Sequence, residues 1–290
     1  MAENKRDHHK IPVMYLRGFT EPGTSFVWVY QHGRPYSPGP KTGRDNPART
    51  GIYVTAVERD RNTVTRFDGK RDFNTFEDEH QKIESRAARA LRAIRKLQPL
   101  SVSEKELLAR FIGALWRRTD HRRHVARPIL ESELKRREAE ARALADAGMF
   151  GLAWHFLSAV EYMRTDEGAK YTFVGTETQL LPQMHKAFVE MRWSFAVAPD
   201  GAPFATCDAP VIFSLADGLQ NSPLILPIGR NVALIATWQD VQDLQYGPVT
   251  AEQVQSINQI VVKAALDEVY ASQPHESLLA TINSRKSNDA

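Results

Sequence analysis

Two hydrophobic rhythms divide this chain, and they do not mix. From about Phe76 the apolar residues recur three and four apart, at Ile83, Ala87, Ala90, Leu91, Ile94 and Leu97. That spacing gathers them on one face of a helix. From Trp193 the rhythm becomes two, in Trp193-Ser-Phe195-Ala-Val197-Ala, the mark of a half-buried strand. Short aromatic and β-branched runs also precede the helices, at Phe26-Val27-Trp28-Val29-Tyr30, Ile52-Tyr53-Val54 and Thr63-Val64-Thr65. A doubly wound parallel sheet needs strands and helices to alternate. Segregated runs predict an α+β fold, mainly helical, with a small, mostly antiparallel sheet built from N-terminal and C-terminal strands.

The breakers set expected boundaries. Pro99 ends the first helix. Ser103, with Glu106 three residues on, opens the next as a capping box. Its stripe is Leu107, Phe111, Ala114 and Leu115, and it is expected to reach Arg127, where Pro128 interrupts. A charged helix over 131–147 stops at Gly148. Further helices are expected over 152–163 and 179–191. Pro199-Asp200-Gly201 is a turn, with strands at 204–207, 211–213, 224–226 and 232–236. Thr250 and Gln253 form a second capping box, ahead of a stripe at Val254, Ile257, Val261, Ala264 (or Ala265) and Val269. The expected organisation is one domain over 1–275 and a polar, flexible tail over 276–290.

With 38 basic and 35 acidic side chains the net charge is +3. That is too even to announce a nucleic-acid binder. The single cysteine, Cys207, excludes an internal disulfide. No apolar run approaches the ~20 residues that span a bilayer, and residues 1–10 lack the apolar stretch of a signal peptide. The expectation is a cytoplasmic protein with no membrane partner. No phosphate-binding glycine loop, nucleophile elbow, HExxH pair or cysteine pair is present.

Four groupings could carry chemistry. His8 and His9 could act as base or metal ligand, or form a polar entry strand with Tyr15, Leu16 and Phe19 anchored in the core. His80 and Glu84 lie one helical turn apart and could share a ligand. Glu84 borders the apolar stripe and needs a partner there. Arg118 lies on the core face of the next helix and could be that partner. His121 and His124 follow it and could bind a metal, but Arg117, Arg118, Arg122 and Arg123 around them repel a cation. The cluster fits a solvated basic helix end, and it would also suit an anionic substrate such as phosphate. Asp208 stands where a strand breaks before Pro210. It fits a metal ligand or base, and equally a turn residue that satisfies backbone N–H groups. Cys207 reads as a core thiol.

The run His8-His9-Lys-Ile-Pro12-Val-Met-Tyr15-Leu16-Arg-Gly-Phe19 resembles the N-terminal signature of the DUF4238 family, roughly HH-x-V-P-x-x-Y-L-x-x-F. Ile83-Glu84-Ser-Arg-Ala87, Trp193, Phe204-Ala-Thr206-Cys207-Asp208-Ala-Pro210 and Leu226-Pro227-Ile228 are similar to its later segments, in the same order. Two departures stand out. Cys207 occupies a position usually serine, which speaks against a thiol nucleophile, and Ala209 one where asparagine is common. The resemblance brings no settled activity. It favours His9, Glu84 and Asp208 as site residues.

Two readings follow. In the first, the chain is a hydrolase acting on a phosphate-containing substrate, a nucleic acid or nucleotide. His9, Glu84 and Asp208 are then catalytic, and Glu84 and Asp208 hold a divalent cation (Mg or Mn). Arg118, His121, His8 and Tyr15 bind substrate. In the second, the chain is a non-catalytic interaction or structural protein, an accessory factor in bacterial stress or phage defence, and the same residues form a packing network.

Overall fold

The computed structural model describes residues 6–31, 34, 37–40, 45–66, 68–179, 181–214, 219, 221–275, 277–278 and 281–282. Helix accounts for 47% and strand for 21%, so the fold is α+β and mainly helical.

In chain order the elements are β1 (Asp7–His9), α1 (Val13–Leu16), a 3-10 turn (Arg17–Phe19), β2 (Phe26–Gln31), β3 (Ala48–Gly51), β4 (Val57–Arg59), β5 (Val64–Thr65) and β6 (Arg71–Asp72). Six helices follow: α2 (Thr75–Arg95), α3 (Val102–Arg117), α4 (Asp120–Asp146), α5 (Phe150–Arg164), α6 (Asp166–Thr178) and α7 (Pro182–Glu190). The chain closes with β7 (Arg192–Val197), β8 (Thr206–Cys207), β9 (Leu224–Gly229), β10 (Val232–Thr237), β11 (Gln245–Pro248), α8 (Ala251–Ala264) and β12 (Glu268–Ala271).

These elements form two compact units, each assembled from three stretches of chain. A helical unit takes residues up to 8, 58–81 and 117–179. A sheet unit takes 9–57, 82–116 and 180–290.

The sheet unit holds two four-stranded sheets, ordered β11-β7-β10-β9 and β3-β2-β12-β8. The second joins N-terminal to C-terminal strands, as the sequence predicts. All pairings in both are antiparallel except β11 on β7. The two-residue rhythm sends alternate side chains to two apolar clusters. Trp193, Phe195, Leu226 and Leu234 join Ala87, Leu91 and Ile94 of α2 and Phe111, Ala114 and Leu115 of α3. Leu97 and Leu107 of the expected stripes are exposed, and Leu108 is buried instead. Ala196, Ala233, Tyr30 and Val269 join the stripe of α8. Burial of this kind stabilises by roughly 25 cal/mol per Å² of apolar surface. Lys105 of α3 is only 5% exposed. Its ammonium donates to Asp243 Oδ2 and to the Met191 carbonyl, both at 2.8 Å. Asp243 Oδ1 in turn accepts from the Trp193 N–H.

The helical unit packs α4, α5 and α6 with the β5–β6 hairpin, and its core is of another kind. Val64, Leu134, Ala141, Ala153, Val160 and Val174 are buried there. So are His8, Arg61, Asn62, His80, Arg117, Arg118 and Glu177.

Several expected boundaries move. Ser101 Oγ accepts from the Glu104 N–H while Glu104 returns to the Ser101 N–H, so this pair caps α3, two residues before the Ser103–Glu106 box. The break expected at Pro128 falls at residues 118–119, because Thr119 accepts from the Arg122 N–H and starts α4 afresh. Pro128 then lies inside α4. The Thr250–Gln253 box forms as expected, but Val269 belongs to β12 and not to the helix. Leu278 and Ile282 are buried in the sheet unit's core, within the stretch expected to be tail. Residues 283–290 lie outside the described ones.

Asp72 links β6 to α2. Its Oδ1 accepts from the N–H of Thr75 (3.0 Å) and of Asn74 (3.2 Å), and Oδ2 from Arg66. Burial alone would raise this carboxyl, but the donors win and hold it at about 2. That lies below the ordinary ~3.9, so its stabilisation is present above about pH 4 and fades as pH falls toward 2. Asp72→Asn should remove about 1 kcal/mol of that acid sensitivity. Urea unfolding of both proteins at pH 3 and pH 7 checks this.

Candidate functional site

In the sheet unit the N-terminal signature is anchored by a buried arginine. Arg95, at the end of α2, donates from Nε to the Ile228 carbonyl (2.8 Å), from Nη1 to Met14 (3.0 Å) and from Nη2 to Tyr15 (2.8 Å). Burial, with the nearby charges of Arg17 and Arg92, lowers its pKa to about 10. Gly18 passes so close that a Cβ there would meet the Ile228 oxygen at 2.5 Å and Arg95 Nε at 2.7 Å.

Tyr15 is fully buried. Its hydroxyl donates to the Pro227 carbonyl (2.6 Å) and accepts from Thr206 (2.8 Å). Burial pushes its pKa far up, against the opposing Thr206 bond. The expected substrate contact gives way to a core anchor, because both ends of this phenol are spent inside the fold.

Asp208 follows β8. Its carboxylate accepts from the N–H groups of Leu266 (2.8 Å), Asp267 (2.7 Å) and Glu268 (3.1 Å). Burial pushes the carboxyl above its ordinary value, although the three donors oppose it. These bonds turn the chain from α8 into β12. Asp208 is therefore the turn residue of the two alternatives. His9 is half-buried, with Nε2 at 3.1 Å from the Tyr53 carbonyl, and Glu84 is half-buried on α2. The expected cation site is not assembled: among the described residues no three His, Cys, Asp or Glu side chains could hold a metal ion. Cys207 is buried in the apolar cluster with Val261 and Val269, as a core thiol.

The helical unit concentrates the remaining chemistry. His80 Nε2 lies 3.4 Å from Glu177 Oε2, and each side chain is 2% exposed. Arg61, 1% exposed, donates from Nη1 to Asp120 and to Glu58, both at 2.7 Å, and from Nη2 to the Arg118 carbonyl at 2.6 Å. Burial opposes its charge, but Asp120, Glu177 and Glu58 outweigh that and raise its pKa. Its Nε and the Oδ1 of Asn62 are buried with no hydrogen-bond partner among the described residues. Arg117 donates to the Thr176 carbonyl at 2.6 Å, and Arg118 is 2% exposed. His8 is fully buried, and its Nδ1 accepts from the Asn62 N–H at 3.0 Å. The histidine pair thus divides, His8 to the helical unit and His9 to the sheet unit. The side chains of His121 and His124 lie outside the described residues.

Spacing carries no trace of Arg61 and Glu177. Arg61 sits in a polar turn. Glu177 sits in α6, whose start is signalled only by Thr165 before Asp166-Glu167: its hydroxyl accepts from the Gly168 N–H.

Fold and site together define an α+β protein whose helical part buries a His–Glu pair as well as Arg61, Arg117 and Arg118. The chain matches the family described as Protein of unknown function (DUF4238) over residues 7–275, and belongs to it. No curated protein and no solved structure matches it significantly.

Arg95→Met should cost about 3 kcal/mol or more, since it strands three carbonyls. Gly18→Ala should cost about 1–3 kcal/mol through overpacking. Asp208→Ala should cost about 1–3 kcal/mol through its orphaned N–H groups. Denaturant midpoints measure all three, and exposed Arg17→Ala should leave the midpoint unchanged.

Proposed function

We propose that the chain is a cytoplasmic hydrolase of a phosphate-containing substrate, a nucleotide or nucleic acid, with the polar centre of the helical unit as its acid–base site. The observation that carries this reading is the His80–Glu177 pair, 3.4 Å apart and almost wholly removed from water. Burying ionisable groups costs several kcal/mol per ion, and such clusters concentrate where chemistry needs them. Glu177 orients the imidazole and stabilises it when it is charged. His80 takes the proton of a water whose oxygen bonds to phosphorus, and returns that proton to the leaving oxygen as its P–O bond breaks. Arg61, Arg117 and Arg118 supply fixed positive charge for the phosphoryl oxygens, in a setting where charge is weakly screened.

The second reading is a non-catalytic interaction or structural protein, including an accessory role in bacterial stress or phage defence. The structural contacts of Tyr15 and Asp208, both in the family signature, favour it. Nucleotide and single-stranded nucleic-acid cleavage, assayed with and without magnesium or manganese, separates the two. The hydrolase reading expects His80→Gln and Glu177→Gln to lower kcat by about 10²–10⁴-fold while the folded population persists at assay temperature. A wild-type protein that cleaves none of these substrates, with both variants losing stability alone, would leave the packing role.

A further inference from the structure

A trough of about 750 Å³ runs across the outer face of β10, β7 and β11 in the sheet unit. Its floor follows from the sheet register. Ser194 lies between Ile235 and Gln245 in one row, and Ala196 beside Gly247 in the next. Trp193, Phe195 and Leu234, one residue out of phase, point to the opposite side and into the core. Small residues (Ser194, Ala196 and Gly247) thus share this face with Ile235 and Gln245, and Ala196 is itself buried against the α8 cluster. Asn221, Thr237, Trp238, Gln239, Val241 and Gln242 stand around it.

None of the described lining residues is charged, although a quarter of the chain is. An anionic ligand would have no cation to meet, and a fatty ligand would leave the amides unsatisfied. Amides and hydroxyl groups both donate and accept, which is the pattern that sugar hydroxyls complement. Trp238 is 41% exposed. Its indole N–H is committed to the Leu219 carbonyl at 2.8 Å, so the donor is already used and the ring is what this residue contributes to the lining. The electron-rich face of an indole suits the polarised C–H groups of a sugar ring. The volume lies within the usual range of ligand sites.

From these features we infer that the trough binds a neutral, polyhydroxylated ligand, an oligosaccharide, independently of the acid–base centre proposed above.

Calorimetric titration of the full-length chain with cellohexaose, maltohexaose and chitohexaose tests this, with adenosine as the planar, base-bearing comparison. At least one hexasaccharide should bind saturably. Trp238→Ala should weaken that binding about tenfold or more without changing the melting temperature. Gln242→Ala, on the exposed rim, should weaken it less, and it serves as the folded control if Trp238→Ala loses stability. Absence of heat with all three hexasaccharides overturns the inference. So does binding that neither substitution weakens, or binding of adenosine alone.

Discussion

A guanidinium placed among three carbonyls holds the sheet unit together. Arg95 reaches two residues of the N-terminal signature, Met14 and Tyr15, and one residue of β9, Ile228. Buried carbonyls without donors are costly. One side chain satisfies all three, and thereby fixes α1, the end of α2 and β9 against each other. The close passage of Gly18 and the Tyr15 hydroxyl on Pro227 follow from that arrangement. The signature is therefore an assembly device in this unit: its aromatic and glycine positions are those the arginine's surroundings permit.

The helical unit resolves the same difficulty in the opposite way. Among its described residues few large apolar side chains are buried, whereas arginines, histidines and a glutamate are. Ion pairs inside a protein seldom stabilise as much as well-packed hydrocarbon of the same volume. A unit organised like this relies less on hydrocarbon packing than the sheet unit does. Arg61 illustrates it, tying the loop after β4 to the start of α4 through Asp120 and the Arg118 carbonyl.

Much of the fold was legible because it rests on local rules. The stripes of α2 and α8, the alternation in β7 and the Thr250 cap depend on neighbours a few residues away. The misread places depended on distant ones. Ser101 and Ser103 both stand three residues before a glutamate, and spacing alone could not choose between them. Pro128 is a plausible breaker, but Thr119 had already restarted the helix. Val269 continues the stripe of α8 numerically, yet Asp208 captures the N–H groups of residues 266–268 and redirects the chain into β12. At the site, His8 and Arg118 could be noticed as unusual residue types. Their neighbours Arg61 and Glu177 could not, because nothing nearby in sequence distinguishes a buried partner from a solvated charge.

The interleaved tracing of the two units has an evolutionary corollary. Each is sewn from three separate stretches, and the chain passes between them five times, within β1, β4, α2 and α3 and after α6. No single cut or crossover can deliver either one whole. A single contiguous insertion or deletion therefore could not add or remove one unit while leaving the other whole. Length variation among relatives should collect in surface connections such as the one between α4 and α5, and should avoid the crossing points.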